Sequence, residues 1–374
     1  MEISLHRIEP WLIKHQYARF NLAESGMVNQ TVGQLMDAVG LTDAEMRAVS
    51  LANSDTHGMP ALREAVAALY PGVSPDEILI TTGTSEALLL YYHVRSRPGA
   101  RAVVPIPAFQ SLDELPRYLG YEVTPFRLER AIGFRPDVEA LERAIDERTV
   151  TVVLNSPQNP TGIVFTPDEV RRTVARARAV GAEVLADEHY RFVPFGEHDE
   201  LLPSIVSPND GIVGVGSMIK CFGCVGLRIG WLIGPKALVE ACRDLKDYTT
   251  HTVCGMNELL AARVLTNFRP LGRQYRGWVR QNVAEFSRFA DRHASLLGWV
   301  RPEGGLVCFP WLRDAGLDSQ RFAQRLVEQT EVFVLPGDTF GYPGHFRLGF
   351  GLEPKDFAAA LDRWDGFLTG RRWE

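Results

Sequence analysis

Between residues 77 and 234 the chain alternates short, almost wholly apolar runs with longer amphipathic stretches. The runs are EILIT (77–81), RAVVPI (101–106), TVVLNS (151–156), AEVLAD (182–187), GIVGVG (211–216) and RIGWLIG (228–234). Their length and β-branched content read as strands, and their lack of polar alternation places both faces of the sheet under cover. The stretches between them, among them SEALLLYYHVR, QSLDELPRYLG and TPDEVRRTVARARAVG, carry helical spacing. Thr166 and Glu169 stand at capping-box distance. Strands joined through helices form a parallel sheet covered on both sides, so the fold class is α/β.

From about residue 237 helical periodicity dominates, and a second, smaller α/β unit follows: GLVCFPWL (305–312), a helix near 319–329, VFVLPG, HFRLGFG (345–351) and a closing helix. The first 45 residues have no strand pattern of their own and are expected to pack against the small unit or a partner. The chain therefore divides into an N-terminal segment (1–45), a large domain (46–270) and a small C-terminal domain (271–374).

Composition narrows the function classes. Hydrophobic residues make up 45% of 374, enough for a buried core, and the net charge of −6 leaves no electrostatic footprint for nucleic acid. The opening MEISLHRIEPWLIKH lacks the apolar core of a signal peptide, and no run approaches the ~18 apolar residues of a membrane helix. A soluble, cytoplasmic protein is expected, and five cysteines, an odd number, fit a reducing compartment.

Ligands of open α/β sheets sit beyond the carboxyl ends of the strands, and the polar outliers lie there. After EILIT comes Gly83-Thr84-Ser85, which is either an ordinary helix cap or a cradle for a phosphate. After RAVVPI comes Phe109, a core ring or a stacking surface. After TVVLNS comes PQNPTG, with Asn159, a turn sequence whose amide could also serve a ligand. Asp187 ends an apolar strand and needs a cation or N–H partner, an internal salt bridge or, with His189, a metal. Tyr190 follows. Ser217, Lys220 and Arg228 surround the next strand end. Cys221 and Cys224 form a CxxC, open to zinc, redox or plain packing roles, and no second ligand pair accompanies it.

Lys220 carries the most information. The chain has five lysines against 35 arginines, so position 220 needs more than positive charge. A guanidinium is protonated and delocalised and does not condense with an aldehyde, whereas an amine does. A flat ring bearing a phosphate, a phenolic oxygen, a pyridine nitrogen and an aldehyde uses every outlier, and that ligand is pyridoxal 5′-phosphate.

With NPTG, D-x-x-Y, S-x-x-K and K-x-F-G-x-x-G-x-R-I-G in this order, the chain resembles the fold type I pyridoxal-phosphate enzymes of the class I/II aminotransferase family along nearly its whole length. The resemblance implies a mostly parallel seven-stranded sheet in a large cofactor domain with a smaller α/β domain, and a homodimer. It implies that Lys220 holds the cofactor and moves the proton at the substrate Cα. Asp187 pairs with the ring nitrogen, Tyr190 and Asn159 bond the phenolic oxygen, and Phe109 stacks on the ring. Gly83, Thr84, Ser85, Ser217 and Arg228 hold the phosphate, Arg347 takes the substrate carboxylate, and Gly26 lines the same pocket. The chain departs from the family pattern at Ile219, where a second serine is common, and at Asn53-Ser54, where many members have a tyrosine.

EPWLIKHQYARFNLAESGMVNQTVGQL and PFRLERAIGFRPDVEAL are similar to the corresponding parts of capreomycidine synthase and the enduracididine-forming cyclases. Two activities stay open: transfer of an amino group to a keto acid, or elimination and ring closure on a hydroxylated arginine. A non-catalytic regulator of this fold would carry an appended DNA-binding domain, for which 374 residues leave no room. A guanidinium side chain would need a carboxylate near the cofactor. Glu24, Asp55 and Glu188 are the candidates by position, with Glu188 expected to be a solvated surface acid.

Overall fold

A computed structural model of the chain describes residues 3–195, 200–314 and 316–370. The outermost residues of the expected first and last spans, with 196–199 and 315, lie outside the described residues.

All six apolar runs are strands of one seven-stranded sheet. In chain order the strands are β1 Ile78–Thr82, β2 Arg101–Ile106, β3 Glu122–Arg127, β4 Thr149–Asn155, β5 Glu183–Asp187, β6 Ile212–Gly216 and β7 Ile229–Ile233. They lie side by side as β1-β7-β6-β5-β4-β2-β3, parallel except for β7, which is antiparallel to both neighbours. The sequence reading has no strand at β3. This strand forms an edge, its residues alternate between exposed and buried, and it contains Pro125, tolerated because an edge strand has an outer side with no ladder to complete. The search for continuous apolar runs passes over such a pattern.

Both faces of the sheet are covered. Leu79, Val104, Val153, Leu185, Val213 and Leu232 point to one side, where they pack with Leu88, Tyr91, Leu112 and Val239. These partners sit on helices Thr84–Arg95, Gln110–Tyr118 and Lys236–Lys246. Their strand neighbours Ile80, Val103, Val152 and Val184 face the opposite way, into a larger core that continues into the C-terminal unit.

The 38-residue helical segment Gly255–Arg292 is two helices meeting at a kink, where Asn267 has non-helical dihedrals and Pro270 follows three residues later. Beyond it, Val307–Cys308, Phe346–Gly349 and Leu335–Pro336 form a small antiparallel sheet under helices Ser319–Thr330 and Pro354–Thr369. The N-terminal segment joins both units. Phe20–Asn21 pairs with Val332–Phe333, while the Met27 N–H donates to the Lys220 carbonyl at 2.8 Å and Val28 N–H to Gly351 at 2.9 Å.

The register aligns the functional edge. Asn155 lies opposite Asp187, Asp187 opposite Val215, and Thr82 opposite Ile229. Because β7 runs backwards, its amino end, carrying Arg228, joins the carboxyl ends of the other strands. The β1–β7 crossing is tight: a Cβ on Gly230 would stand 2.5 Å from both Gly83 C and Thr84 N. Gly230→Ala should therefore cost about 1–3 kcal/mol, read as a lower urea midpoint, because backbone rather than a flexible side chain would have to move.

Candidate active site

The segment after β1 turns at Gly83, whose φ of 79° suits glycine, and enters helix Thr84–Arg95 with no side chain capping its first N–H groups. Across from it Arg228 holds a left-handed φ of 50°, unusual for a residue with a side chain. Its Nη2 lies 2.8 Å from where a Cβ on Gly83 would stand, so the guanidinium occupies the space that glycine leaves. A helix start and a guanidinium converge here as they would around a phosphate.

These groups border a cavity of about 410 Å³ at the functional edge. Thr84, Ser85, Phe109, Asn159, Asp187, Tyr190, Lys220 and Arg228 line it, so most of the residues singled out from the sequence meet there. Gly83 touches the cavity through Arg228. Gly26 backs Lys220: a Cβ there would come within 3.3 Å of Lys220 Cδ and of its carbonyl oxygen. Arg347, 2% exposed, is not itself in the lining; it donates to the Ala23 carbonyl at 2.7 Å and to Asn159 Oδ1 at 3.5 Å, and its buried Nε has no partner among the described residues. Ser217 is not brought into the lining. Its hydroxyl donates to the Ile229 carbonyl at 2.6 Å and accepts from the Ile219 N–H at 3.2 Å, joining β6 to β7.

Asp187 is 6% exposed and accepts the His189 N–H at 3.2 Å, but it has no ion pair with any described residue. Burial pushes its pKa up to about 7. The salt-bridge expectation therefore fails among the described residues. The Lys220 Nζ forms no hydrogen bond or ion pair with a described residue. Burial holds its pKa below the ordinary lysine value; the charge of Glu24 opposes this, while Arg347 and Arg228 add to it. The shift is toward the neutral, nucleophilic form of the amine. His189 Nδ1 lies 3.1 Å from Thr84 Oγ1, and burial, with Lys220 and Arg228 nearby, lowers its pKa to about 3. Burial pushes the Tyr190 phenol well above its ordinary range, against the opposing pull of Arg347.

The residues fit pyridoxal phosphate. The cavity presents a buried carboxylate lacking a cation, an unpartnered amine, an aromatic ring at Phe109, and a guanidinium beside an uncapped helix start. Among the described residues no group of three His, Cys, Asp or Glu is placed to hold a metal. Cys221 and Cys224 are buried, and their thiols contact the His189 carbonyl and the Met218 sulfur. Burial pushes the Cys224 thiol up to about 12, so both cysteines pack rather than react.

Sequence reasoning missed several lining residues. Asn155 donates to the Asp187 carbonyl at 3.2 Å and accepts the Asn159 N–H at 2.8 Å, holding the strand ends together. It ends an apolar run as Asp187 does, and that signal could have found it. His6, Glu9 and Ser25 also line the cavity, reached only through long-range packing of the N-terminal segment.

The proposed side-chain acids need correction. Asp55 accepts from the His57 N–H at 2.8 Å and pairs with Arg63 at 3.4 Å, and it does not line the cavity. Glu188 is not solvated. It is 4% exposed, paired with Arg191 at 3.2 Å and bonded by Ser204 and the Ile205 N–H. It faces a different, mainly apolar cavity of about 780 Å³ beneath helix Pro167–Ala179, where Val170, Phe165 and Ile205 supply the walls and no unpartnered amine is present. Glu24 is exposed beside the site.

The family model for aminotransferase class I and II matches residues 30–363. The chain belongs to this family. It is 31% identical to capreomycidine synthase from Streptomyces vinaceus over 98% of this chain and 95% of that protein. A PLP-dependent aminotransferase from Streptococcus suis superposes with a TM-score of 0.92 at 28% identity, covering 100% of this chain and 99% of the other. The PLP-dependent cyclase OrfR gives the same TM-score at 30% identity, covering 99% and 98%. The chain is accordingly a pyridoxal-phosphate-dependent enzyme of the aminotransferase family.

Removing the buried carboxylate gives a test of the cation it awaits. In the cofactor-free protein the folded pKa of Asp187 lies above its ordinary 3.8, so stability is lost as pH rises from about 4 towards about 7. Asp187→Asn should melt higher than the parent above pH 7, by up to about 4 kcal/mol, and the difference should vanish near pH 4. Saturating pyridoxal phosphate should reverse the order, because only the parent gains an ion pair.

Proposed function

We propose that this enzyme removes the α-proton of an L-amino acid and passes the amino group to a keto acid. One observation carries the reading: a single cavity holds an amine at Lys220 and a carboxylate at Asp187, neither ion-paired with a described residue, and its lining residue Asn159 is in contact with the buried guanidinium of Arg347. When bound, pyridoxal phosphate supplies an aldehyde that captures amines and a protonated ring that takes up the electron pair left at Cα.

The chain's own residues do the rest. Arg347 grips the substrate carboxylate with donors that the protein leaves incompletely used. Lys220 accepts the α-proton and returns it, a positioned base worth about 10²–10⁴-fold. Asp187 keeps the ring nitrogen protonated, Tyr190 and Asn159 bond the phenolic oxygen, Phe109 stacks on the ring, and Gly83, Thr84, Ser85 and Arg228 receive the phosphate. Ser217 serves this site through the β6–β7 hydrogen bond that positions the loop to Lys220.

Ring closure on a hydroxylated arginine is a second reading, favoured by the similarity to capreomycidine synthase along 98% of the chain. We also take the enzyme to act as a cytoplasmic homodimer built from the three segments 1–45, 46–270 and 271–374. Exposed Leu51 and Tyr248, near loops tied together by the Lys246 Nζ–Thr56 carbonyl bond, offer apolar surface for pairing. Among the described residues no helix is long and apolar enough to cross a membrane.

Two measurements test the chemistry. Lys220→Ala and Lys220→Arg should both lose covalently retained cofactor, its visible absorbance and turnover, since a guanidinium restores charge but not the reactive amine. Incubating the loaded enzyme with arginine and its hydroxylated derivatives should yield product only when a keto acid is added. Product without an acceptor would replace transfer with ring closure.

A further inference from the structure

The N-terminal segment crosses the mouth of the cavity and is anchored on both sides. On the large unit, the Arg7 N–H donates to Gln110 Oε1 at 2.8 Å, Gln110 Nε2 donates to the Leu5 carbonyl at 3.0 Å, and Arg7 pairs with Glu114 at 3.7 Å. Gln110 and Glu114 belong to the helix that follows Phe109, and the His6 ring lies 6.3 Å from the Phe109 ring. On the small unit, Lys14 Nζ donates to Gln324 Oε1 at 2.9 Å, His15 Nε2 reaches the same oxygen at 3.2 Å, and the His15 ring lies 4.9 Å from Phe333. Between the anchors runs the short helix Glu9–Lys14, none of whose residues is buried.

A strap pinned this way presents a fixed set of side chains to whatever enters, and two of them, His6 and Glu9, line the cavity. The only carboxylates in that lining are Glu9 and Asp187. Asp187 sits at the sheet edge, where the cofactor ring is to lie, and is committed there. Glu9 has no ion pair with a described residue. Its charge is felt by both Lys220 and Arg347, as is the stronger one of Glu24, but of these two acids only Glu9 lines the cavity. With positive charge at Arg347 fixing the backbone end of an amino acid, Glu9 is the negative counterpart left for the other end.

We propose that Glu9 is a specificity-determining residue that selects amino acids with a cationic side chain, an amine or a guanidinium, through the strap over the cavity. This rests on the amino-acid reading given above and adds to it the charge of the side chain and the residue that reads it. From the sequence this segment was expected to pack and to bring Gly26 to the pocket, with Glu24 as its candidate acid; Glu9 was not among the acids considered.

Arginine and citrulline test the idea, because they share a shape and differ in charge. Titrating each into the holoenzyme, with calorimetry and the cofactor's visible absorbance as readouts, should show arginine bound about tenfold more tightly, as expected for a hydrogen bond to a charged group. Glu9→Gln should bring that ratio close to one and Glu9→Asp should keep part of it, while the cofactor absorbance and melting temperature of both variants match the parent. Raising the salt concentration should shrink the parent's ratio, since the pair sits at an open mouth. Equal binding of arginine and citrulline by the parent, or an unchanged ratio in Glu9→Gln, would overturn the proposal and leave the amino-acid reading standing. If neither compound binds or perturbs the cofactor absorbance while the cofactor itself is retained, the amino-acid reading falls and this proposal with it.

Discussion

The site depends on strand ends being brought to one line by a parallel sheet. Hydrogen-bond register sets Asn155 beside Asp187 and Asp187 beside Val215. The reversed strand β7 brings Arg228 to the same edge instead of the far one. A ladder shift of one residue would turn Asp187 away from the cavity and bury an apolar neighbour's place with a carboxylate. The sheet is covered on both faces, which makes such a shift costly, and chemistry placed on strand ends inherits that rigidity.

Charge is concentrated around the cavity. Asp187 lies at the sheet edge with no ion pair to a described residue, Lys220 is an amine kept short of its ordinary basicity, and Arg347 is buried against Asn159 of the lining. These groups do not neutralise one another by direct contact. Each is left unsatisfied in a way that a bound molecule completes, and the protein bears the desolvation of Asp187 until it does. The hydroxyl of Ser217 belongs to the scaffold, since it joins β6 to β7 immediately before the loop that carries Lys220.

The N-terminal segment adds selectivity to this frame. Glycines allow its close approach: Gly26 lies against Lys220, and the φ of 61° at Gly223 leaves its missing side chain facing the Val28 carbonyl. Contacts on two units, with Phe20, Leu22, Ala23 and Met27 buried, hold this segment on a defined path. An assembly of this kind ties the mouth of the cavity to the relative placement of the large and small units, with the kinked helical segment Gly255–Arg292 running between them.

Much of this was legible in residue order. Six strands announced themselves as apolar runs because burial on both faces removes the need for polar alternation, and most of the polar residues that follow those runs line one cavity. Lys220 stood out because the chain otherwise prefers arginine. The edge strand β3 escaped because one side of it is exposed. Other features were decided only by tertiary structure. Arg191 and Ser204 turned Glu188 into an internal ion-paired acid, the Ile229 carbonyl took the Ser217 hydroxyl, and a contact spanning more than a hundred residues, from Arg7 to Gln110, carried Glu9 to the cavity mouth. A residue's identity and its distance from a strand end are local and can be read along the chain. What its side chain meets depends on segments far away in sequence, and only the folded packing sets that.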